Sequence, residues 1–228
     1  MTDMHEVRGC LIAAAIAIVS VAPLGGQPTL EARFIGNMAW SITDGTFTLM
    51  SDFPYDSGAI NGYMTYDAAA ELRSPTADTL SLITHRHADH WSPTLFARTN
   101  WKVVGPRDVV AGVSADRVVP ASVRLPVGPL RIDIIDTPHA NIGHYSYVVT
   151  WHGRRLYFSG DTESPSHLMA LRDLDVAFVS PWLYRAVVKA GGRVDAKRVV
   201  MYHHEPGEEV PDCRQGCHVP RQGETLRF

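Results

Sequence analysis

Three imidazoles and a carboxylate fall within one short stretch of this chain, His85-Arg86-His87-Ala88-Asp89-His90. The run ahead of it, Leu80-Ser81-Leu82-Ile83, reads as a buried strand whose end delivers all four groups to one place. Later segments repeat the arrangement: His139 follows the alternating run Arg131–Asp136, Asp161 follows Arg155–Ser159, and His203, with His204 beside it, follows Arg198–Tyr202. Imidazole nitrogen and carboxylate oxygen are ligands that zinc prefers, usually about four at a time. So many groups are too many for one catalytic zinc. They suit two, roughly 3.5–4 Å apart, sharing a hydroxide and a carboxylate. Such a pair makes hydroxide available near neutral pH for attack on a carbonyl or a phosphorus. No Ser-His-Asp or reactive-Cys arrangement is evident in the sequence to supply a protein nucleophile instead.

The stretch "HRHADH" resembles the His-x-His-x-Asp-His signature of the metallo-β-lactamase superfamily, and "TPH", "SGDT" and the late "HH" follow in that family's order. The resemblance spans about residues 30–228. It implies an α+β fold, a four-layer αβ/βα sandwich with two mixed β-sheets face to face, helices outside and the metals at one edge. Carried onto this sequence, it gives His85, His87 and His139 to a first zinc, and Asp89, His90 and His203 to a second, with Asp161 bridging. His204 stays open as the alternative to His203. Asp89 would also orient the hydroxide and take its proton. His144 falls where a residue that supports a ligand or touches substrate would lie, so Asp89 and His144 are the candidate catalytic residues. The expected cofactor is Zn2+, two per chain, with manganese or iron as alternatives.

Two departures narrow the resemblance. Class B β-lactamases commonly place a Cys in the second site, and this chain has none between residues 11 and 212. A bridging Asp is similar instead to the lactonase, glyoxalase II and phosphodiesterase branches. The stretch "SDFPYDSGAINGYM" (Ser51–Met64) resembles an early segment of the lactonase-like branch, and its Phe53, Tyr55 and Tyr63 would either line a pocket or pack in the core. The expected activity is therefore zinc-dependent hydrolysis of an ester, lactone or related carbonyl substrate by a metal-bridging hydroxide. One alternative is a binuclear-metal phosphodiesterase of the same fold, which would need Arg86, Arg154 or Arg155 aimed at the site. Another, of a different class, is a non-hydrolytic metal-binding or redox protein that reuses the site.

These groups need a scaffold, and the hydrophobic pattern supplies one. Glu31–Ile35, Ala39–Thr43 and Phe47–Ser51 read as a meander with Asp44-Gly45 at a hairpin turn. Asp67–Arg73 reads as a short helix, Thr79–Ile83 and Lys102–Val104 as strands, and Pro106–Ala111 as a helical turn. Ser92-Pro93 marks a helix start. Tyr145–Trp151 and Arg155–Ser159 form a hairpin, Ser166–Leu171 a short helix, and Val176–Ser180 and Arg198–Tyr202 buried strands. Two blocks of strands with helices inserted in each indicate two packed sheets rather than one doubly wound sheet. The segment between Trp182 and Arg198 is short beside the fuller helix that the resemblance implies there, so a lesser helix and a more open site are expected on that side.

Residues 27–228 form a single domain in this reading. Residues 1–26 are a signal peptide or membrane anchor, because Cys10–Ala22 is an apolar run too short to span a bilayer comfortably. The protein is then exported, periplasmic or secreted, and meets a membrane only if that segment stays uncleaved. Cys213 and Cys217 form an even pair that export would permit to bond. With a formal net charge of −3 and no basic stripe, nucleic acid is not an expected partner. A small-molecule substrate is, and oligomeric state is left open. His5, His152, His167 and His218 have no ligand partners by spacing.

Overall fold

The computed structural model describes residues 27–73, 75, 77–208, 210 and 217–228. The expected signal or anchor therefore lies outside the described residues, as does Cys213. Cys217 is disulfide-bonded.

The strands β1 (Glu31–Gly36), β2 (Ala39–Thr43) and β3 (Phe47–Ser51) form the expected antiparallel meander. To β3 are added β4 (Asp78–Leu82) and then β5 (Lys102–Val104), both parallel. A second sheet runs in the order β12-β11-β10-β9-β8-β7-β6. Its strands are β6 (Arg124–Val127), β7 (Leu130–Asp136), β8 (Tyr145–Trp151), β9 (Arg154–Phe158), β10 (Leu174–Val179), β11 (Ala196–Met201) and β12 (Cys217–His218). A last strand, β13 (Thr225–Arg227), returns to the first sheet and pairs with β1.

Period-two alternation places the side chains of each strand on two faces. Between the sheets lies one apolar layer, holding Phe34, Trp40, Leu49, Leu80 and Leu82 from the first sheet and Ile132, Tyr147, Val149, Phe158, Phe178 and Val200 from the second. Trp40 and Phe178 meet across it with ring centroids 4.9 Å apart. The intervening residues face outward. The first helix is the short α1 (Ala68–Arg73). Met50, Ile83 and Val103 pack with Phe96 and Val109 from α2 (Pro93–Phe96) and α3 (Arg107–Val110). Tyr157, Ala177, Val179 and Met201 pack with Leu168, Leu183 and Val187 from α4 (Ser166–Ala170) and α5 (Pro181–Lys189). This is the two-sheet sandwich with outer helices that the sequence implied.

The expectation of a lesser helix after Trp182 is corrected. Pro181–Lys189 is a nine-residue helix, capped by Ser180, whose hydroxyl accepts from the Leu183 amide at 3.4 Å, with Pro181 in its first turn. Ser-Pro is the same start signal that opens α2. The side expected to be open carries Trp182 instead, its ring centroid 4.9 Å from that of His203. Strands β12 and β13 were not legible in the sequence, being short and paired with strands distant in the chain, and neither was β6, four residues long in a tight hairpin with β7.

Candidate metal centre

Strands β3 and β4 run parallel, as do β9, β10 and β11. Because β7 and β9 are each antiparallel to β8, β7 runs with β9. Their C-terminal ends therefore gather at one edge of the sandwich. The Tyr147 hydroxyl donates to the Ile83 carbonyl at 2.6 Å and the Tyr145 amide to the Thr84 carbonyl at 2.9 Å, joining the sheets there. The "HRHADH" loop is turned back on itself by the amides of His90 and Trp91, which both donate to the His87 carbonyl at 2.9 Å. His203 sits at φ 56 and Asp52 at φ 42, left-handed conformations that non-glycine residues adopt at a cost and that cluster at functional sites.

The seven expected ligands converge in two groups. His85, His87, His139 and Asp161 form one, Asp89, His90, Asp161 and His203 the other, and within each group the ligand atoms lie within 4.8 Å of one another. Asp161 Oδ2 stands 3.3 Å from His90 Nε2, 3.5 Å from His203 Nε2, 3.8 Å from His85 Nε2 and 3.9 Å from His139 Nε2. Asp89 Oδ2 stands 3.2 Å from His203 Nε2 and 3.4 Å from His90 Nε2. Buried His90 Nε2, His139 Nε2, His203 Nε2 and Asp161 Oδ1 have no hydrogen-bond partner among the described residues. Leaving a buried polar atom unpaired costs about 1–3 kcal/mol. Several such atoms turned toward common points fit a bound cation, and the donor set of imidazoles and carboxylates fits zinc.

Electrostatics agrees. Burial disfavours charge on Asp161, but His90 and His203 beside it outweigh this and hold its carboxyl well below the usual range. Asp89 is also held low, burial again being outweighed, here by His203 and His90. His203 is pushed up to about 9, since Asp161 and Asp89 overcome the effect of its burial. His85 and His139 go the other way, depressed chiefly by burial. The arrangement is two carboxylates kept ionised inside a cage of imidazoles, a field that draws positive charge inward.

Residues outside the expected set hold this cage. Asp52, 1% exposed, accepts from the Thr84 amide at 2.7 Å through Oδ1, and its Oδ2 lies 3.2 Å from His90 Nδ1. A carboxylate on the far nitrogen fixes the ring and leaves Nε2 as the ligand atom. Sequence reasoning missed Asp52, although the signal was present: it ends the apolar run of β3 as the ligands end theirs. His144, a candidate catalytic residue, is fully buried with both ring nitrogens occupied. Nε2 accepts from the Asp161 amide at 2.9 Å, and Nδ1 lies 2.8 Å from Thr137 Oγ1. No nitrogen is left for a substrate, so the catalytic role expected of His144 is corrected to a supporting one.

His204 is buried, its ring stacked on Phe34 at 6.1 Å between centroids, and does not join either ligand group. Phe53 and Tyr55 are core residues, fully buried. Tyr63 is the one of the three aromatics at the site, its ring edge-on to His203 at 5.2 Å between centroids. Trp182 makes a second edge contact to His203, and its Nε1 donates to the Asp161 carbonyl at 3.3 Å. His152 bonds Asp44 and His218 bonds Glu224, each at 2.7 Å, while His167 belongs to neither ligand group.

With that geometry in view, comparison with known proteins defines the class. Residues 67–211 match the family model described as the Beta-lactamase superfamily domain, and the chain belongs to that superfamily. A UPF0173 metal-dependent hydrolase from Deinococcus radiodurans is 27% identical over 174 residues, covering 66% of this chain and 71% of that protein. Among solved structures, the metallo hydrolase Igni18 from Ignicoccus hospitalis superposes with a TM-score of 0.67 at 18% identity, covering 88% of this chain and 98% of its own. The metallo-β-lactamase fold protein YhfI from Bacillus subtilis superposes with a TM-score of 0.63 at 12% identity, covering 88% of this chain and 100% of its own.

Proposed function

We propose that this chain, a metal-dependent hydrolase of the superfamily, uses two zinc ions to cleave an ester, lactone or related carbonyl substrate. The observation that carries the reading is the convergence of seven ligand residues into two groups that share Asp161, with buried ring nitrogens left unpaired. His85, His87 and His139 would hold one ion, Asp89, His90 and His203 the other, and Asp161 both. Metal ions bound there supply Lewis acidity toward the substrate oxygen and a water nucleophile at neutral pH. Asp89, kept ionised by its imidazole neighbours, is the group that takes the proton of the attacking water. Tyr63 and Trp182, packed edge-on to His203, would offer apolar surface to the body of a carbonyl substrate.

Charge around the mouth favours carbonyl over phosphate substrates. Arg86 is paired with Asp108 at 3.1 Å, and Arg185 with Glu208 at 3.5 Å. Arg154 is turned away to the Pro28 carbonyl at 2.9 Å, and the Arg155 guanidinium is tied to the Arg172 carbonyl. Glu163 shares a surface cleft with His139, so a carboxylate borders the centre on that flank. An anionic phosphodiester would meet like charge there. The disulfide at Cys217 suits an oxidising compartment and supports export. The test is a panel of lactones, esters, thioesters, phosphodiesters and β-lactams assayed with the zinc-loaded protein. Lactone or ester turnover should exceed phosphodiester turnover in kcat/KM. Preferred phosphodiester cleavage, or wild-type protein that binds no divalent metal, would overturn the reading.

A further inference from the structure

We infer that His144 is a positioning residue, the neutral member of a one-directional hydrogen-bond ring that clamps the peptide carrying Asp161. The direction is fixed at both ends by backbone groups that cannot change role. At one end the Asp161 amide can only donate, and its acceptor is His144 Nε2 at 2.9 Å. Nε2 is therefore a lone pair, and the neutral ring carries its proton on Nδ1. That proton is donated to Thr137 Oγ1, 2.8 Å away. At the other end the Ser159 carbonyl can only accept, and Ser146 Oγ donates to it at 2.7 Å. The one hydroxyl proton of Ser146 is then in use, so at its 3.1 Å contact with Thr137 Oγ1 it accepts. Thr137 thus donates to Ser146 and receives from His144. Both ends dictate the same direction, and no member has two conflicting roles.

The ring opens and closes on a single turn, from the Asp161 amide to the Ser159 carbonyl. His144 and Ser146 are fully buried and Thr137 is 2% exposed, so water does not compete for these bonds. The remaining groups of the turn are also held: the Gly160 amide by the Tyr202 hydroxyl at 3.0 Å, the Ser159 amide by the Phe178 carbonyl at 3.1 Å, and the Asp161 carbonyl by Trp182. Only the Asp161 carboxylate is left to reach outward, where its Oδ2 lies within 3.9 Å of four imidazoles. The ring also accounts for Gly160. At φ +57, a Cβ there would stand 2.4 Å from His144 Nε2 and displace the acceptor. The consequence for the site is that the shared carboxylate is aimed by a neutral Nδ1–H tautomer of a residue that meets neither metal nor substrate.

The positioning role rests on the reading of Asp161 as a shared ligand, whereas the tautomer does not. Nitrogen-15 NMR of the imidazoles in the labelled full chain should show His144 protonated at Nδ1 and unprotonated at Nε2. A proton on Nε2 overturns the ring. Thr137→Val keeps the shape of the side chain and removes the link, and Thr137→Ser restores it. Zinc affinity, measured by chelator competition, should fall about tenfold or more in the Val variant and stay within about threefold of wild type in the Ser variant. A folded Thr137→Val protein with wild-type zinc affinity overturns the positioning role. Should that variant not fold, Ser146→Ala carries the same expectation. Wild-type protein that binds no zinc would defeat the ligand reading and the positioning role together, while the tautomer still reports on the ring by itself.

Discussion

Asp52→Asn is the substitution that separates the metal site from the fold most sharply. Asp52 Oδ1 accepts from the Thr84 amide at 2.7 Å, and the Thr84 hydroxyl lies 3.0 Å from each carboxylate oxygen, so the Asn carbonyl oxygen will stay with Thr84. The new NH2 group then faces His90 Nδ1, which lies 3.2 Å from Oδ2 in the native protein. Two donors cannot share that contact. The cheapest relief is for His90 to move its proton to Nε2, the atom it otherwise turns toward Asp89 and Asp161. A protonated Nε2 is no longer a ligand. The group of Asp89, His90 and His203 is thereby crippled, while His85, His87 and His139 are untouched.

Loss of a partner behind a ligating His typically weakens metal binding about 10–100-fold, which is about 1.4–2.7 kcal/mol. Loss of a charge-assisted buried hydrogen bond costs the fold about 1.5–3 kcal/mol. A chain of this size should then melt roughly 3–12 °C lower. The assay is metal per chain by elemental analysis after gel filtration, followed by chelator competition. Wild-type protein should retain two zinc ions and the variant one, with the remaining ion held at its native affinity. A variant that keeps both ions at unchanged affinity would refute the argument that Asp52 sets the tautomer of His90.

Gly160→Ala should be among the most damaging single-methyl changes, since it combines a left-handed backbone with contacts of 2.4 Å to His144 Nε2 and 2.8 Å to Thr84 Cβ. Together these should cost about 2–4 kcal/mol, read as a fall in Tm of roughly 5–15 °C. Asp44→Asn tests the opposite end of the sandwich. Asp44 accepts from Trp151 Nε1 at 3.2 Å, contacts His152 Nε2 at 2.7 Å, and takes the amides of Thr46 and Phe47. Burial opposes its charge, but these partners hold its carboxyl well below the usual range. A carboxyl depressed in the folded state stabilises above its unfolded pKa, so the wild-type advantage, about 2 kcal/mol, should be full above about pH 5 and shrink as the pH falls below about 4. Urea titrations of both proteins across that range would check it.

Much of this was legible because the same physics wrote both patterns. A strand buried on one face alternates, and a strand that ends at a metal site stops its apolar run on a polar ligand. Those two rules locate β1 to β5 and β7 to β11 and the strand ends at which the candidate ligands stand, while the choice of the seven rested on the resemblance. Asp52 obeys the second rule too, but it stands apart from the signature residues. It is a support, and supports have no spacing signature of their own. Which of its two expected roles His144 takes, supporting a ligand or touching substrate, could not be read either. A His two strands removed from Asp161 becomes a backbone acceptor only once β7, β8 and β9 are paired. The helix α5 was missed for a different reason: Ser180 reads as the end of the buried strand before it, which hides the Ser-Pro start signal. Edge strands β12 and β13 are two and three residues long, too short for periodicity to register.

The two groups of ligands are each drawn half from one sheet and half from the other. His85, His87, Asp89 and His90 follow β4 in the first sheet, while His139, Asp161 and His203 follow β7, β9 and β11 in the second. A metal bound in either group would therefore also staple the sandwich at its functional edge. At the far edge the sheets are joined by Asp44, between β2 and β3, reaching Trp151 and His152 at the turn between β8 and β9. That clamp contains no ligand and should not feel the metal. Chelation should then loosen the molecule from one end only. In hydrogen exchange, amides of Thr84–Trp91 and Ser159–Thr162 should lose protection on chelation, and those of Thr43–Phe47 and Thr150–Arg154 should keep theirs. Equal loss of protection at both edges would mean that the metals support the whole core, and the division of labour between the two ends would be wrong.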